Sequence, residues 1–286
     1  MSSAKTSFAG FALVLAAAAS ACASSPSGPE AELARAMEAA MQPASAEERE
    51  AANRADPLTR ANFWSQEHQK APQDAHVTLE FARALRSIGS DARAVEVLTS
   101  AVVIHPRNAD LHMMLGRIRM AANEPGVARF SFERAAEAAA DRAETWAALG
   151  TAYDQMGEHR MAQAAYQRAL GLEPDRTTTL TNYGLSLMLS GDLTGAERQL
   201  RAAAEKPGAD VRVQQNLALV LGLQGRFDEM KAVSGDAAPA NVTEQNARLV
   251  RALVSPARSY EALAEPESVS SDQGETGGRQ LRRTRD

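Results

Sequence analysis

The chain has 286 residues, 44% of them hydrophobic and 5% aromatic, with 31 Lys and Arg against 36 Asp and Glu for a net charge of −5. So mild an acidic balance speaks against a nucleic-acid binder, which needs a basic face for the phosphates. One cysteine in the whole length excludes a disulfide within the chain, so stability has to come from helix packing.

The first segment carries Lys5 as its only charge, then an apolar run from Phe8 to Ala19, then Ala19-Ser20-Ala21 directly before Cys22. The run is too short to span a membrane and reads as a secretory signal peptide over residues 1–21. A lone cysteine directly behind a small-residue box resembles a bacterial lipoprotein signal, in which that cysteine becomes the lipidated first residue of the mature chain. Ala19 stands where that family usually has leucine, and the other reading is ordinary cleavage after Ala21 with a free Cys22 thiol. Lipidation implies a lipid anchor in the membrane. By the same resemblance Ala23, in place of the aspartate that retains enteric lipoproteins at the inner membrane, implies the periplasmic face of the outer membrane. Residues 22–57 are rich in Ala, Ser, Pro and Glu without sustained periodicity and are expected as a flexible tether, a coil of about 35 residues reaching roughly 30 to 35 Å. The alternative left open within it is a short helix from Ala31 to Met41, on a thin stripe of Leu33, Met37 and Met41.

From residue 58 the pattern changes. Gly89, Gly157, Gly191 and Gly225 share a column with a step of 34, and Asn123 fills its missing place. Further columns read Ala94, Ala128, Ala162, Ala196; Leu98, Phe132, Tyr166, Leu200; Ala101, Ala135, Ala169, Ala203; and Ala82, Gly116, Gly150, Gly184, Ala218. Trp64 and Pro72 fall one unit before their columns, which makes 59–72 half a repeat. A step of 34 with small and bulky residues alternating in this way is the signature of tetratricopeptide repeats, two antiparallel helices per unit. The units are 75–108, 109–142, 143–176, 177–210 and a degenerate one from 211 to about 240. The expected fold is all-α, a right-handed superhelical solenoid of antiparallel helix pairs over residues 58–255.

Unit 143–176 shows the pattern most fully, with Trp146, Leu149 and Tyr153 filling the space between its helices and Gly150 and Ala162 letting the backbones approach. Gly157 supplies the turn and Pro174 stops the second helix. In the last unit Met230 and Ser234 replace the small and bulky residues of the second helix, so stacking is expected to end there. The stretch Asn241 to Leu253 follows, offering Ala247, Leu249, Val250 and Leu253 to cover the open end. Residues 256–286 are polar, carry no core-forming pattern, and are assigned no structure.

No catalytic constellation emerges. His68, His76, His105, His112 and His159 show no metal-binding spacing, and there is no nucleophile elbow, phosphate loop or dinucleotide loop. Asp154 and Glu158, four apart, read as a solvated acidic patch. Neither a catalytic residue, a metal site nor a cofactor is expected, and the chain is not expected to be an enzyme.

What remains is a surface. In such repeats the first helix of each unit lines the concave side. The residues this places in the groove are Arg83 and Arg86; Met113, Met114, Arg117 and Met120; Thr151 and Asp154; Asn182, Leu185 and Met188; and Arg212, Gln215, Asn216 and Leu219. Asn182 and Asn216 stand 34 apart and can hydrogen-bond a peptide backbone through their amides, or bond neighbouring loops. The methionines can floor a site for an amphipathic helix or simply pack, and the arginines can form a solvated face.

Residues Leu149 to His159, with the run NYGLSLMLSGDLTGAERQLRAAAEKPGADVRVQQNLALVLGLQGRFDEM, resemble the TadD-type tetratricopeptide lipoproteins of the tight adherence (Tad, or Flp) pilus machinery. Asn216 to Phe227 is the more specific part, since generic repeats require none of Gln224, Arg226 or Phe227; Met230 departs from the small residue expected there. The resemblance implies an outer-membrane lipoprotein needed for pilus assembly and secretion. Its implied partner is the outer-membrane secretin, which it helps to reach or assemble in the membrane, or another Tad component. The alternative is a general periplasmic adaptor for another pilus system or for cell-wall enzymes.

Overall fold

A computed structural model describes residues 28–235 and 239–254. The signal segment, Cys22 and the tail over 256–286 lie outside the described residues. Among the described residues there are fourteen helices and no strand, and no helix is long and apolar enough to cross a membrane. The chain divides into two compact units, Met1–Gly89 and Ser90–Asp286, a division that falls between the two helices of the first expected repeat.

The first unit holds α1 (Pro29–Met41), α2 (Ala46–Arg54), α3 (Pro57–Lys70) and α4 (Ala75–Ser87). The segment expected as a flexible tether is therefore helical over much of its length, which corrects that expectation. Polar contacts, to which hydrophobic periodicity is blind, hold its second half. Ser45 and Glu48 form a reciprocal capping box at the start of α2, and the Asn53 side chain accepts from the Trp64 indole at 2.9 Å. Glu67, 3% exposed on α3, accepts from the Ala44 N–H at 2.8 Å and pairs with Lys70 at 2.7 Å and Arg49 at 3.6 Å. Ala52 is the one buried residue of α2. The Leu33, Met37 and Met41 stripe of α1 is exposed. α3 begins at Asp56, which caps it ahead of Pro57 in the first turn, and it buries Trp64.

The second unit holds α5 (Asp91–Ile104), α6 (Ala109–Ala121), α7 (Pro125–Ala138), α8 (Ala143–Gln155), α9 (His159–Leu172), α10 (Thr177–Leu189), α11 (Leu193–Ala204), α12 (Val211–Leu223), α13 (Phe227–Gly235) and α14 (Ala240–Val254). Each helix packs on the next along the chain, and α8, α10, α12 and α14 also touch in succession. This is a solenoid of antiparallel helix pairs.

Two columns of the sequence meet inside each pair. A Cβ placed on Gly150 would stand 2.6 Å from the Tyr166 ring, and one on Gly184 would stand 2.8 Å from Leu200. The missing side chain on the first helix is thus the slot that receives the large one on the second, and Phe132, Tyr166 and Leu200 are all 2% exposed or less. The turn column reads φ 74° at Gly89, 76° at Gly157, 89° at Gly191 and 79° at Gly225, with Asn123 at 59°. Asparagine is the side chain that best tolerates the left-handed region, which is why it can stand in for glycine there.

The last pair departs from this scheme. α13 has 9 residues, and Met230 turns toward Gly222, where an added Cβ would lie 2.7 Å from its sulfur and 2.9 Å from Val250. Gln224 donates to the Leu193 carbonyl at 3.0 Å, Arg226 bridges Glu197 and Glu229 at 2.6 Å each, and Arg251 of α14 lies 4.5 Å over the Phe227 ring. The three residues that stand apart from generic repeats therefore fasten α12 and α13 to α11 and α14. Of the four residues expected to cover the open end, only Ala247 and Val250 do so. Thr243, Ala247 and Val250 form the inner seam, while Leu249 and Leu253 are 62% and 72% exposed on an adjoining face.

Candidate functional site

The side chains assigned to the groove have different fates. Met113 is buried in the core of the second unit, and Met120 and Met188 pack against it; Met114 is buried too. These methionines pack. Arg117, half-exposed, pairs with Glu144 of α8. Arg83 and Arg86 belong to the first unit, where Arg83 pairs with Glu80 and Arg86 is half-buried.

Thr151 and Asp154 are taken up by a polar network. Burial pushes the ionisation of the Tyr166 hydroxyl far up, with Thr151 partly offsetting it, so the hydroxyl is a neutral donor to the Thr151 oxygen at 3.3 Å. The Asp154 carboxylate accepts from the Ser186 hydroxyl at 2.7 Å and meets the His159 ring at 2.9 Å. Asp154 is only 15% exposed in its side chain, so it is no part of a solvated acidic patch with Glu158. It is a strut from α8 to α10. Serine, aspartate and histidine stand together here with the carboxylate between the other two, so the imidazole does not touch the hydroxyl it would have to activate. His112 is likewise structural, its ring 3.0 Å from the Pro106 carbonyl. Among the described residues no group of three or more His, Cys, Asp or Glu is placed to hold a metal ion.

Six of the expected residues line two neighbouring clefts. Asn182 and Leu185 of α10 face Arg212 and Asn216 of α12 across a cleft of about 410 Å³, with Thr177, Thr178 and Thr181 on its wall. Gln215 and Leu219 of α12 face Val242, Asn246 and Leu249 of α14 across a second, of about 390 Å³, floored by Met230. Arg212, Gln215, Asn216 and Leu219 recur at i, i+3, i+4 and i+7, which makes them one face of α12. The clefts are thus the two flanks of a single stripe. The Asn182 and Asn216 amides have no hydrogen-bond partner among the described residues, so neither bonds a neighbouring loop. Arg212 pairs with Asp210 at 2.8 Å and is 83% exposed in its side chain.

The α14 residues were missed because the stretch after the last repeat was read only as a cover for the open end, with Leu249 assigned to that cover and Val242 and Asn246 to nothing. The threonines at 177, 178 and 181 were legible in principle as a run of hydroxyls at the start of α10.

Residues 143–176 match the family model for the tetratricopeptide repeat. Residues 143–176 are a tetratricopeptide repeat. Among curated proteins the chain is similar to mouse tetratricopeptide repeat protein 7B, 25% identical over 173 residues, covering 55% of this chain and 20% of that one. It is similar also to cellulose synthase operon protein C of Xanthomonas axonopodis pv. citri (strain 306), 26% identical over 185 residues, covering 62% of this chain and 11% of that one. The chain therefore spans a fifth or less of the curated relatives it matches. Among solved structures it resembles YrrB, described as a tetratricopeptide-repeat protein with an unusual peptide-binding site. There the TM-score is 0.55 and the identity 21%, over 66% of this chain and 98% of that one. That is a likeness of fold, and it puts the stacked helix pairs of this chain among tetratricopeptide-repeat solenoids.

Proposed function

We propose that this chain is a non-catalytic scaffold which holds a segment of another polypeptide along α10, α12 and α14, anchored at the periplasmic face of the outer membrane through lipidated Cys22 and serving Tad/Flp pilus assembly and secretion. The observation that carries the scaffold reading is the pair of unpartnered amides, Asn182 and Asn216, side by side in one cleft with Leu185. Unpaired donors and acceptors lining a surface cleft are a ready complement for a peptide main chain. The description of YrrB as a peptide binder supports the same use of the fold. The Tad role rests on the resemblance of the run from Asn182 to Met230 to the TadD-type lipoproteins, with the secretin as partner. A lipid anchor and a groove together raise the local concentration of a captured secretin segment without any chemical step.

Two measurements test this. Cys22→Ser should move the protein from the membrane fraction to the soluble periplasm, and unchanged membrane fractionation refutes the anchor. The mature chain should capture the secretin from membranes, and Asn182→Ala with Asn216→Ala should reduce the capture at least about fivefold, the effect of two lost hydrogen bonds. Equal recovery by parent and double variant rules out this groove as the secretin site.

A further inference from the structure

The asparagine and leucine of the first cleft recur on the next two concave helices. Asn182 and Leu185 stand three apart on α10, Asn216 and Leu219 three apart on α12, and Asn246 and Leu249 three apart on α14. From Asn182 to Asn216 is the repeat step of 34; from Asn216 to Asn246 it is 30, chiefly because α13 has 9 residues against 12 in α11.

Three observations give α14 the same orientation as α10 and α12 despite that shortening. Its buried seam, Thr243, Ala247 and Val250, has the spacing of Val213, Leu217 and Val220 on α12 and of Thr179, Tyr183 and Ser186 on α10. The residue before each seam, Thr178, Arg212 and Val242, lines a cleft in every case. And α14 touches α12 as α12 touches α10. On the face where the other two helices receive their partner helix, α14 carries Glu244, Arg248 and Arg251 instead. No further helix among the described residues stacks there; Glu244 pairs back with Lys231 at 2.6 Å and Arg251 lies over Phe227, both of α13.

We propose that α14 is a third rung of the groove as well as a cap, and that the three rungs together grip an extended, polyproline-like polypeptide carrying an apolar side chain at every third residue. The inference rests on the groove reading above and specifies the chemistry of what the groove holds. The Asn182, Asn216 and Asn246 amides have no hydrogen-bond partner among the described residues. Each presents a donor and an acceptor, which a main chain can match only where its own peptide groups are not already used in a helix or sheet. The spacing selects among extended forms. Helices in direct contact lie about 8–10 Å apart. A polyproline-type chain, with three residues per turn at about 3.1 Å each, presents the same side every ~9 Å. An α-helix returns after about 5.4 Å and a β-strand after about 6.7 Å, so neither keeps step with the rungs. Each leucine, three residues from its asparagine, then offers the apolar contact for one side chain per turn. The ladder stops at α8, where Ala148 takes the asparagine position and Thr151 the leucine position with its hydroxyl already engaged by Tyr166. Three rungs therefore bind a footprint of about seven residues.

The test uses the full mature chain and an array of peptides of about twelve residues, with leucine fixed at every second, third or fourth position and the remaining positions randomised. Binding should be strongest for the every-third set. Asn246→Ala should weaken that binding about three- to tenfold, as Asn216→Ala does, the loss expected for one main-chain hydrogen-bond site. Arg248→Ala, on the charged face of α14, should leave it unchanged, with equal helicity by circular dichroism in all three. Parent affinity in Asn246→Ala alongside a weakened Asn216→Ala removes α14 from the groove. Equal binding across the three spacings, or no binding, removes the extended-chain geometry. Secretin capture that depends on Asn182 and Asn216 while the array fails sinks the ladder and spares the scaffold; an every-third preference without secretin capture does the reverse.

Discussion

At the scale of single residues, the repeat works by leaving atoms out. Gly150 has no side chain because Tyr166 occupies its place, and Tyr166 is 1% exposed with its hydroxyl tied to Thr151. Gly150→Ala should therefore cost about 1–3 kcal/mol, the range for overpacking a filled interior. Gly171, on α9, meets nothing within 4 Å of an added Cβ. Gly171→Ala should stabilise the same helix pair by up to about 0.5–1 kcal/mol through helix propensity. Urea denaturation of the two variants should shift in opposite directions; a Gly150→Ala midpoint at or above the parent's contradicts the slot. These roles were legible because the 34-residue columns alternate small and large at fixed positions. The turn column was legible even at Asn123, whose residue type fits φ 59°. The individual groove assignments fared differently. Position in the repeat does not reveal whether a threonine or aspartate is consumed by a neighbour, and Thr151 and Asp154 are consumed by Tyr166, Ser186 and His159.

At the scale of elements, what the sequence hid was held by polar contacts or moved by a change of length. α2 has little apolar signal, and the contacts that hold its flanks run through Ser45, Asn53 and Glu67. α14 lies four residues out of register, so its asparagine and leucine did not fall on the columns of Asn216 and Leu219. The α2 docking carries a pH dependence. Burial on its own would raise the Glu67 pKa, but Lys70, the Ala44 N–H and Arg49 outweigh it and hold the carboxylate below its ordinary value. A carboxylate with a depressed folded pKa contributes stability that is complete above the unfolded value of about 4.3 and is lost as pH falls through the folded one. The protection of amides in α2 and the start of α3, relative to their intrinsic exchange, should therefore fall below about pH 4, and Glu67→Gln should lower it already at neutral pH. Protection of α2 that is unchanged between pH 7 and pH 3 sinks this assignment.

At the scale of the whole molecule, the second unit is a one-dimensional array. Each helix touches its sequence neighbours, α8, α10, α12 and α14 touch in succession, and an apolar core runs from Met113 to Val250. Stability in such an array is a sum of local terms and nearest-neighbour interfaces, so damage at one end should stay there. Gly222 is the place to test it, because Met230 of α13 and Val250 of α14 both close on the space a side chain would take. Leucine at that position should push both helices off α12 and raise amide exchange throughout α13 and α14. Protection in α6 to α9 should stay at the parent level, since those helices share no interface with Gly222. The groove should divide along the same line. The cleft between α10 and α12 keeps its walls, while the one between α12 and α14 loses Val242, Asn246 and Leu249. Hydrogen exchange on Gly222→Leu reads both effects at once. A loss of protection spread evenly back to α6 means that the solenoid folds as one cooperative body, and then neither the rungs nor the cap can be varied independently of the rest.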